Sequence, residues 1–455
     1  MVHSIVAPTA SWAAPLVVLP TAACGLLGWR AAAWVLFASL IALPAAMLRT
    51  RKAKRLLQLN ARHSTALTLL RGLLVWQTAF YILAVDFPAV FPSHHAKAPA
   101  HGTSVMDLGV GCTLLVSALS RHVARAHRAG RGRAPGGALA TPLWPGTFWR
   151  AASCSRSAAT LFALGLARTA VLSHLDYHVD ASEYGTHWNF FITLGAVAAL
   201  VPHAPADARH AAAAGSLLLI AHQAALSGGL SHWVDTAPRV GLIAANKEGL
   251  CALPGHVALK LLGDALGALL LPRRLLAHWR AALRTLALLS AALFAAHLGA
   301  AALIEPSSRR TCNLAYALWA CAQLLLIVCV CVGGAVLRPL APPPLIEAAS
   351  RRPLLIFLLA NLLTGAANAA MHADTAPVTL ALATLAAYMA VLGVAAHVLE
   401  VARAARAPRW LSSVATSDRL RRDLVDVAVG TVIAYCVFRQ LGSVWLVGLA
   451  LYCRS

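Results

Sequence analysis

Residues Cys312–Val332 read CNLAYALWACAQLLLIVCVCV, a run without one Asp, Glu, Lys or Arg. About 20 consecutive apolar residues are what an α-helix needs to cross the hydrocarbon core of a bilayer. The same character repeats outward from this segment in both directions. Upstream lie Ala13–Gly28, Ala31–Met47, Leu67–Val85, Val105–Val123, Ala158–Leu172, His187–Val201, Ala211–Gly228, Gly249–Leu271 and Leu283–Leu303. Downstream lie Leu354–Ala370, Pro377–Leu399 and Val425–Leu451, the last interrupted by Arg439. Together they make about thirteen candidate spans, and the expected fold is all-α, a polytopic integral membrane helix bundle.

Composition supports that reading. Of 455 residues, 59% are apolar and only 12% charged, against about a quarter charged in soluble domains. A soluble fold would need one core larger than the roughly 250–300 residues at which cores stop growing. The ten cysteines are scattered and form no CxxC pair, so they read as small apolar residues and not as a disulfide framework or zinc site. The first apolar stretch is followed at once by a second, which reads as an anchor and not as a cleaved signal peptide.

Lys and Arg number 38 against 16 Asp and Glu. The excess is clustered after the second, fourth, eighth, tenth and twelfth spans, for example Arg49–Arg55, Arg121–Arg133 and Arg403–Arg422. Basic loops are retained in the cytoplasm. The bias therefore places these loops and the N-terminus on the cytoplasmic side, and it makes nucleic acid an unnecessary partner. Arg309 and Arg310 alone run against the trend. Two connectors, Ala129–Gly146 and Arg338–Pro353, read as flexible from their Gly, Arg and Pro content.

Four polar constellations interrupt the apolar pattern. Asp86 closes the stretch ILAVDFP, and Lys97 and Asp107 follow in AK and GTSVMDLGVG. A carboxylate at that depth either anchors the span at the interface or, partly desolvated, serves as a general base. Lys97 on the next loop suits either a partner that pulls the carboxylate pKa back down or a cation for a developing oxyanion. In SEYGTHWNFF, Glu183, Tyr184, His187, Trp188 and Asn189 run straight into a span, and either belt residues or a substrate pocket would explain them. Arg239, Asn246, Lys247 and Glu248 in RVGLIAANKEG suit a phosphate or sugar headgroup, or an internal ion pair. Asn361, Thr364 and Asn368 share a helix face, where Asn also serves as interhelical glue. Arg168, within a span, wants an anion or a cavity. The string His174, Asp176, His178, Asp180 has metal-ligand spacing, but nothing complements it elsewhere, so no metal is expected. P-loop, HExxH and GxSxG signatures are absent.

At these residues the chain resembles the PIG-W family, the inositol acyltransferases of glycosylphosphatidylinositol (GPI) anchor biosynthesis. The blocks that carry the resemblance are ILAVDF, FP, AK, GTSVMDLGVG, SEYGTHWNFF, RVGLIAANKEG, NLAYALW and LLIFLLANLLTGAANAAM, in order from about Leu67 to Glu400. The family does not share the His and Asp string. The resemblance implies one transmembrane acyltransferase domain over residues 1–400, with 401–455 as a basic extension carrying a last helix. It implies transfer of a fatty acyl group, palmitoyl by preference, from acyl-CoA to the inositol 2-hydroxyl of glucosaminyl-phosphatidylinositol in the endoplasmic reticulum membrane.

Acyl-CoA is then a co-substrate, no cofactor is implied, and membrane lipid is the remaining partner. Asp86 and Lys97 match the family's acid and base candidates. His187, Trp188, Asn189, Glu183, Tyr184, Arg168, Asp107, Arg239, Asn246, Lys247, Glu248, Asn313, Asn361 and Asn368 are assigned to substrate binding. The rival classes are a secondary transporter, which would show internal pseudo-symmetry, and a membrane acyltransferase with another glycan or lipid acceptor.

Overall fold

The computed structural model describes residues 65–91, 96–129, 145–174, 180–201, 208–270, 279–337 and 344–405. The expected spans Ala13–Gly28, Ala31–Met47 and Val425–Leu451 lie outside the described residues, as do Asp176, His178 and most of the basic loops.

Among the described residues there is no strand, and each of the ten expected spans falls on a helix. In chain order these are α1 (Thr65–Ala84), α2 (Leu108–Ala129), α3 (Pro145–His174), α4 (Phe190–Leu200) and α5 (Ala208–Ala225), then α6 (Ser231–Thr236), α7 (Gly241–Ala245), α8 (Lys247–Leu270) and α9 (Trp279–Leu303). They end with α10 (Leu314–Leu337), α11 (Pro344–Arg351), α12 (Pro353–Ala370) and α13 (Val378–Ala405). Among the described residues, six helical stretches are long and apolar enough to cross a membrane. The segment running from α5 to α6 is one of them, although it kinks at Gly229, whose φ is 116°.

Three boundaries differ from the sequence reading, each for a local reason. The expected span His187–Val201 begins only at Phe190, because the Asn189 side chain accepts from the backbone N–H of Phe191 (3.0 Å) and Ile192 (3.3 Å) and caps the helix. The resulting 11 residues rise about 16 Å, half a bilayer core. The expected span Cys312–Val332 begins at Leu314, with the Asn313 side chain accepting from Tyr316 N (3.0 Å). The connector Arg338–Pro353, expected to be flexible, contains α11. Its Pro344 opens the helix, Glu347 sits in the first turn and Arg351 in the last, which is the favoured polarity for a helix dipole.

The chain divides into two compact units. Of the described residues, the first holds those within Arg71–Ala96 and those from Gly333 onward. Within it α1 packs on α11, where a Cβ at Gly72 would collide with Ile346 and Trp76 Nε1 donates to the Leu345 carbonyl (3.1 Å). The Tyr388 hydroxyl of α13 donates to Ala79 O of α1 (2.8 Å). Arg351 bridges Glu347 and Glu400, tying α11 to α13.

The second unit holds the described residues up to Leu70 and those within Lys97–Val332. Its centre is α8, packed on α2 and α5. Small residues permit the approach: a Cβ at Gly263 would meet Ala118 and Leu115, and one at Gly215 would meet Leu261. Polar clasps cross the same interface, Lys260 Nζ to Ser117 Oγ (2.5 Å) and an ion pair between Arg121 and Asp264. On the other side Ser290 of α9 donates to Ala322 O of α10 (2.8 Å). The polar loops of the second unit meet at Arg309.

Candidate functional site

Arg309 is the hub of that gathering. It is 7% exposed. Its Nε donates to Asp107 Oδ1 (2.8 Å) and one terminal nitrogen to Glu183 Oε1 (3.2 Å). Lys97 Nζ donates to the same Glu183 oxygen (2.7 Å). Two cations thus meet two carboxylates, and the array is neutral. Asp107 is fully buried, and its second oxygen accepts from Ala98 N (3.2 Å) and Ser104 N (2.9 Å). The guanidinium also lies 5.9 Å from the Tyr184 ring centroid.

Burial opposes the charge of Glu183, Arg309 and Tyr184, and the neighbours reverse it for the first two. Glu183 is pushed up by burial, but Lys97 and Arg309 hold its carboxyl below the usual carboxylate range. Burial works against the Arg309 cation, and Tyr184, Glu183 and Asp107 together keep it more firmly protonated than usual. The Tyr184 phenol is pushed up by burial and by Glu183.

A second network adjoins it. Arg239 grips Glu248 with two parallel bonds (3.0 and 2.6 Å), and Arg310 reaches Asp235 (3.1 Å). The loop 180–189 is zipped onto the start of α8. Thr186 N donates to Ala245 O (2.8 Å), Gly249 N to Tyr184 O (2.8 Å), and His187 N to Asn246 Oδ1 (2.8 Å). Gly185, at φ 119°, lies so close to Asn246 that a Cβ would fall 2.6 Å from its Cα, and Gly249 lies under the Trp188 ring. Gly185→Ala is therefore expected to uncouple the loop. Its measure is a faster cleavage at Glu183–His187 by limited proteolysis in detergent, with the helical circular dichroism retained.

The substrate-binding set separates on this geometry. Asp107, Glu183 and Tyr184 converge on Arg309, and the catalytic candidate Lys97 joins them through Glu183. Asn246 and Glu248 are buried and paired internally, as is Lys247, which donates to Ala237 O. His187 is exposed above them and Arg168 is exposed on α3. Trp188 Nε1 donates to Thr193 Oγ1 (2.9 Å). Asn189 is 2% exposed and spends its amide on Gly165 O (2.8 Å) and Thr169 Oγ1 (3.0 Å). Asn313 caps α10 and donates to Pro306 O (2.8 Å). Both Asn are thus built into the scaffold. Asn189→Ala should cost about 1–2 kcal/mol through lost capping and a stranded amide, read as a lower midpoint in thermal unfolding of the detergent-solubilised protein.

In the first unit, Asp86 lies just past α1, where Asn368 Nδ2 of α12 donates to its Oδ2 (2.9 Å). Asn368 Oδ1 is buried and has no hydrogen-bond partner among the described residues. Asn361, two turns earlier on the same face, is exposed and donates locally to Phe357 O (2.7 Å). Reasoning from sequence missed Arg309 and Arg310 as site members, although both were conspicuous as arginines on the wrong side of the charge bias. It also missed Gln223 and Glu305. Gln223 joins α5 to Glu305 (2.7 Å) and caps α10 by accepting from Leu314 N (2.9 Å).

Compared with known proteins, residues 3–399 match the model of the GWT1 family. The chain belongs to the GWT1 family. The GPI-anchored wall transfer protein 1 of Gibberella zeae is 33% identical over 382 residues, covering 72% of this chain and 71% of that protein. The phosphatidylinositol-glycan biosynthesis class W protein of Dictyostelium discoideum is 29% identical over 377 residues, 76% and 75% of the two chains. An uncharacterized protein of Arabidopsis thaliana is 32% identical over 294 residues, and that match spans 64% of this chain and 63% of the plant protein. The GWT1 match takes in Asp86, Lys97 and every member of the Arg309 array, and it stops before the basic segment that follows Glu400.

Proposed function

We propose that this GWT1-family chain is the inositol acyltransferase of GPI-anchor biosynthesis, a multi-pass protein of the endoplasmic reticulum membrane. It takes a fatty acyl group, palmitoyl by preference, from acyl-CoA and esterifies the inositol 2-hydroxyl of glucosaminyl-phosphatidylinositol. Family membership supports the pathway, through relatives named for phosphatidylinositol-glycan biosynthesis and GPI-anchored wall transfer. The observation that carries the chemistry is Lys97. Its ammonium is fixed at 2.7 Å from Glu183 while its side chain stays 42% exposed, a cation held in place yet open to a ligand.

Alcohol attack on a thioester needs a base for the hydroxyl and a positive group for the carbonyl oxygen. In this reading the Asp86 carboxylate takes the proton of the inositol hydroxyl. The freed oxygen attacks the thioester carbon, and Lys97 stabilises the tetrahedral oxyanion. That intermediate collapses to the ester as the carbon–sulfur bond breaks. The proton passes from Asp86 to the departing thiolate, so one ester and one CoA thiol form and the base is restored. Asn368, whose Nδ2 donates to Asp86, keeps that carboxylate oriented.

CoA carries several phosphate charges that cannot enter hydrocarbon cheaply. Its head therefore sits on the side of the basic loops, with the acyl tail between helices, where burial is worth about 0.8 kcal/mol per methylene. Glycosylation tags inserted near His95 and near Gly130 test this arrangement. Modification only near His95 is the expected result, and modification only near Gly130 would invert the topology.

A further inference from the structure

Arg309 was left unexplained by the charge bias and unassigned by the reaction above. Its surroundings give it a task. The loop that carries Lys97 is fastened to the loop before α10 at three places. Gly102 N donates to Ser307 O (2.7 Å), Ser308 Oγ to Ala100 O (2.8 Å), and Arg309 Nε to Asp107 Oδ1 (2.8 Å). Asp107 in turn accepts from the backbone of Ala98, the residue after Lys97. Arg309 therefore holds the Lys97 backbone through Asp107. It also holds the Lys97 ammonium through Glu183, on the one oxygen that both cations share.

The two cations differ in exposure. The side chain of Arg309 is 6% exposed and that of Lys97 is 42%. The planar guanidinium reaches both carboxylates at once from a fixed fork, which a lysine ammonium cannot do. Glu183, pulled by two cations, has a fixed oxygen against which Lys97 rests. The arrangement fixes the Lys97 nitrogen at both ends of its flexible four-carbon stem.

We propose that Arg309 is a positioning residue for Lys97, acting through Glu183 on the ammonium and through Asp107 on the loop. This rests on the reading of Lys97 given under Proposed function. The consequence is specific: changes at Arg309 or Glu183 should act on turnover more than on substrate binding.

The test uses the full chain purified in detergent, with the variants Arg309→Lys and Glu183→Gln. Arg309→Lys keeps the charge beside buried Asp107 and so favours a folded protein. Two readouts are taken. Steady-state kinetics should show kcat lower by about 10–100-fold, the scale on which misplaced catalytic groups act, with KM for acyl-CoA and for the acceptor within about twofold. Modification of Lys97 by an amine-reactive ester, followed by peptide mass spectrometry, should be several-fold faster in both variants, because the ammonium is no longer held. Unchanged Lys97 modification in both variants would overturn the inference. Faster modification with wild-type kcat would uphold the positioning and remove Lys97 from the reaction. Absence of acyl transfer in the wild-type protein would remove the proposed function, and the modification rates would still decide the role of Arg309.

Discussion

Asp86→Asn is expected to yield a protein that accumulates in membranes at the wild-type level yet transfers acyl groups at least about 100-fold more slowly. The substitution keeps shape and a carbonyl oxygen for Asn368 Nδ2, so α1 and α12 remain joined. What it removes is the capacity to take a proton, and general-base catalysis contributes roughly 10²–10⁴-fold. Expression in cells lacking inositol acylation, scored by surface GPI-anchored protein, measures the loss. Full rescue by Asp86→Asn at normal abundance would take the base role away from this residue. Lys97→Ala should lose activity on a similar scale, since removal of one oxyanion-stabilising group costs about 10²–10³ in kcat.

Arg309→Met is expected to have the largest effect on stability. The substitution leaves Asp107 fully buried without its guanidinium partner. Removing one member of a buried ion pair costs about 3–5 kcal/mol, mostly from the charge left behind. The variant should therefore be degraded, or unfold in detergent well below the wild-type temperature. Arg309→Lys should accumulate. Equal abundance and equal melting of Arg309→Met and wild type would contradict the description of the array. Acid should weaken the same array. Glu183 is held below the usual carboxylate range when folded, so its contribution is present above that range. It is lost as pH falls through the depressed value.

Much of the fold was legible because membrane spans announce themselves by length and hydropathy. The helix starts at Asn189 and Asn313 were legible too, since Asn immediately before an apolar run is a capping signal. Both were assigned to substrate instead, because an amide entering a membrane also reads as a ligand group. For α11, the proline run masked start and stop signals that Pro344, Glu347 and Arg351 do carry. The pairing of Tyr184–His187 with Ala245–Gly249 left no trace in the pattern. It depends on two glycines, Gly185 and Gly249, that admit close contact across about sixty residues of chain. Hydropathy periodicity records which face is apolar, not which loop meets which.

Arg309 shows how an exception can be read. Arginines opposed to the cytoplasmic charge bias are costly unless something answers their charge. Here Asp107, Glu183, Asp235 and Glu248 do so, in loops, the short helix α6 and the first turn of α8 of the same unit. Asp107, Glu183 and Glu248 stand out in the sequence as candidates and the two arginines as anomalies, whereas nothing there singles out Asp235. What was missing was the fold that brings residue 309 to residues 107 and 183.

The central claim is tested most directly by supplying purified protein with labelled palmitoyl-CoA and glucosaminyl-phosphatidylinositol. The product is then analysed by mass spectrometry with fragmentation. The expected product is a lipid heavier by one palmitoyl group, esterified on inositol, with one CoA thiol released for each ester formed. Acylation of the glucosamine nitrogen, or CoA release without any acylated lipid, would contradict it.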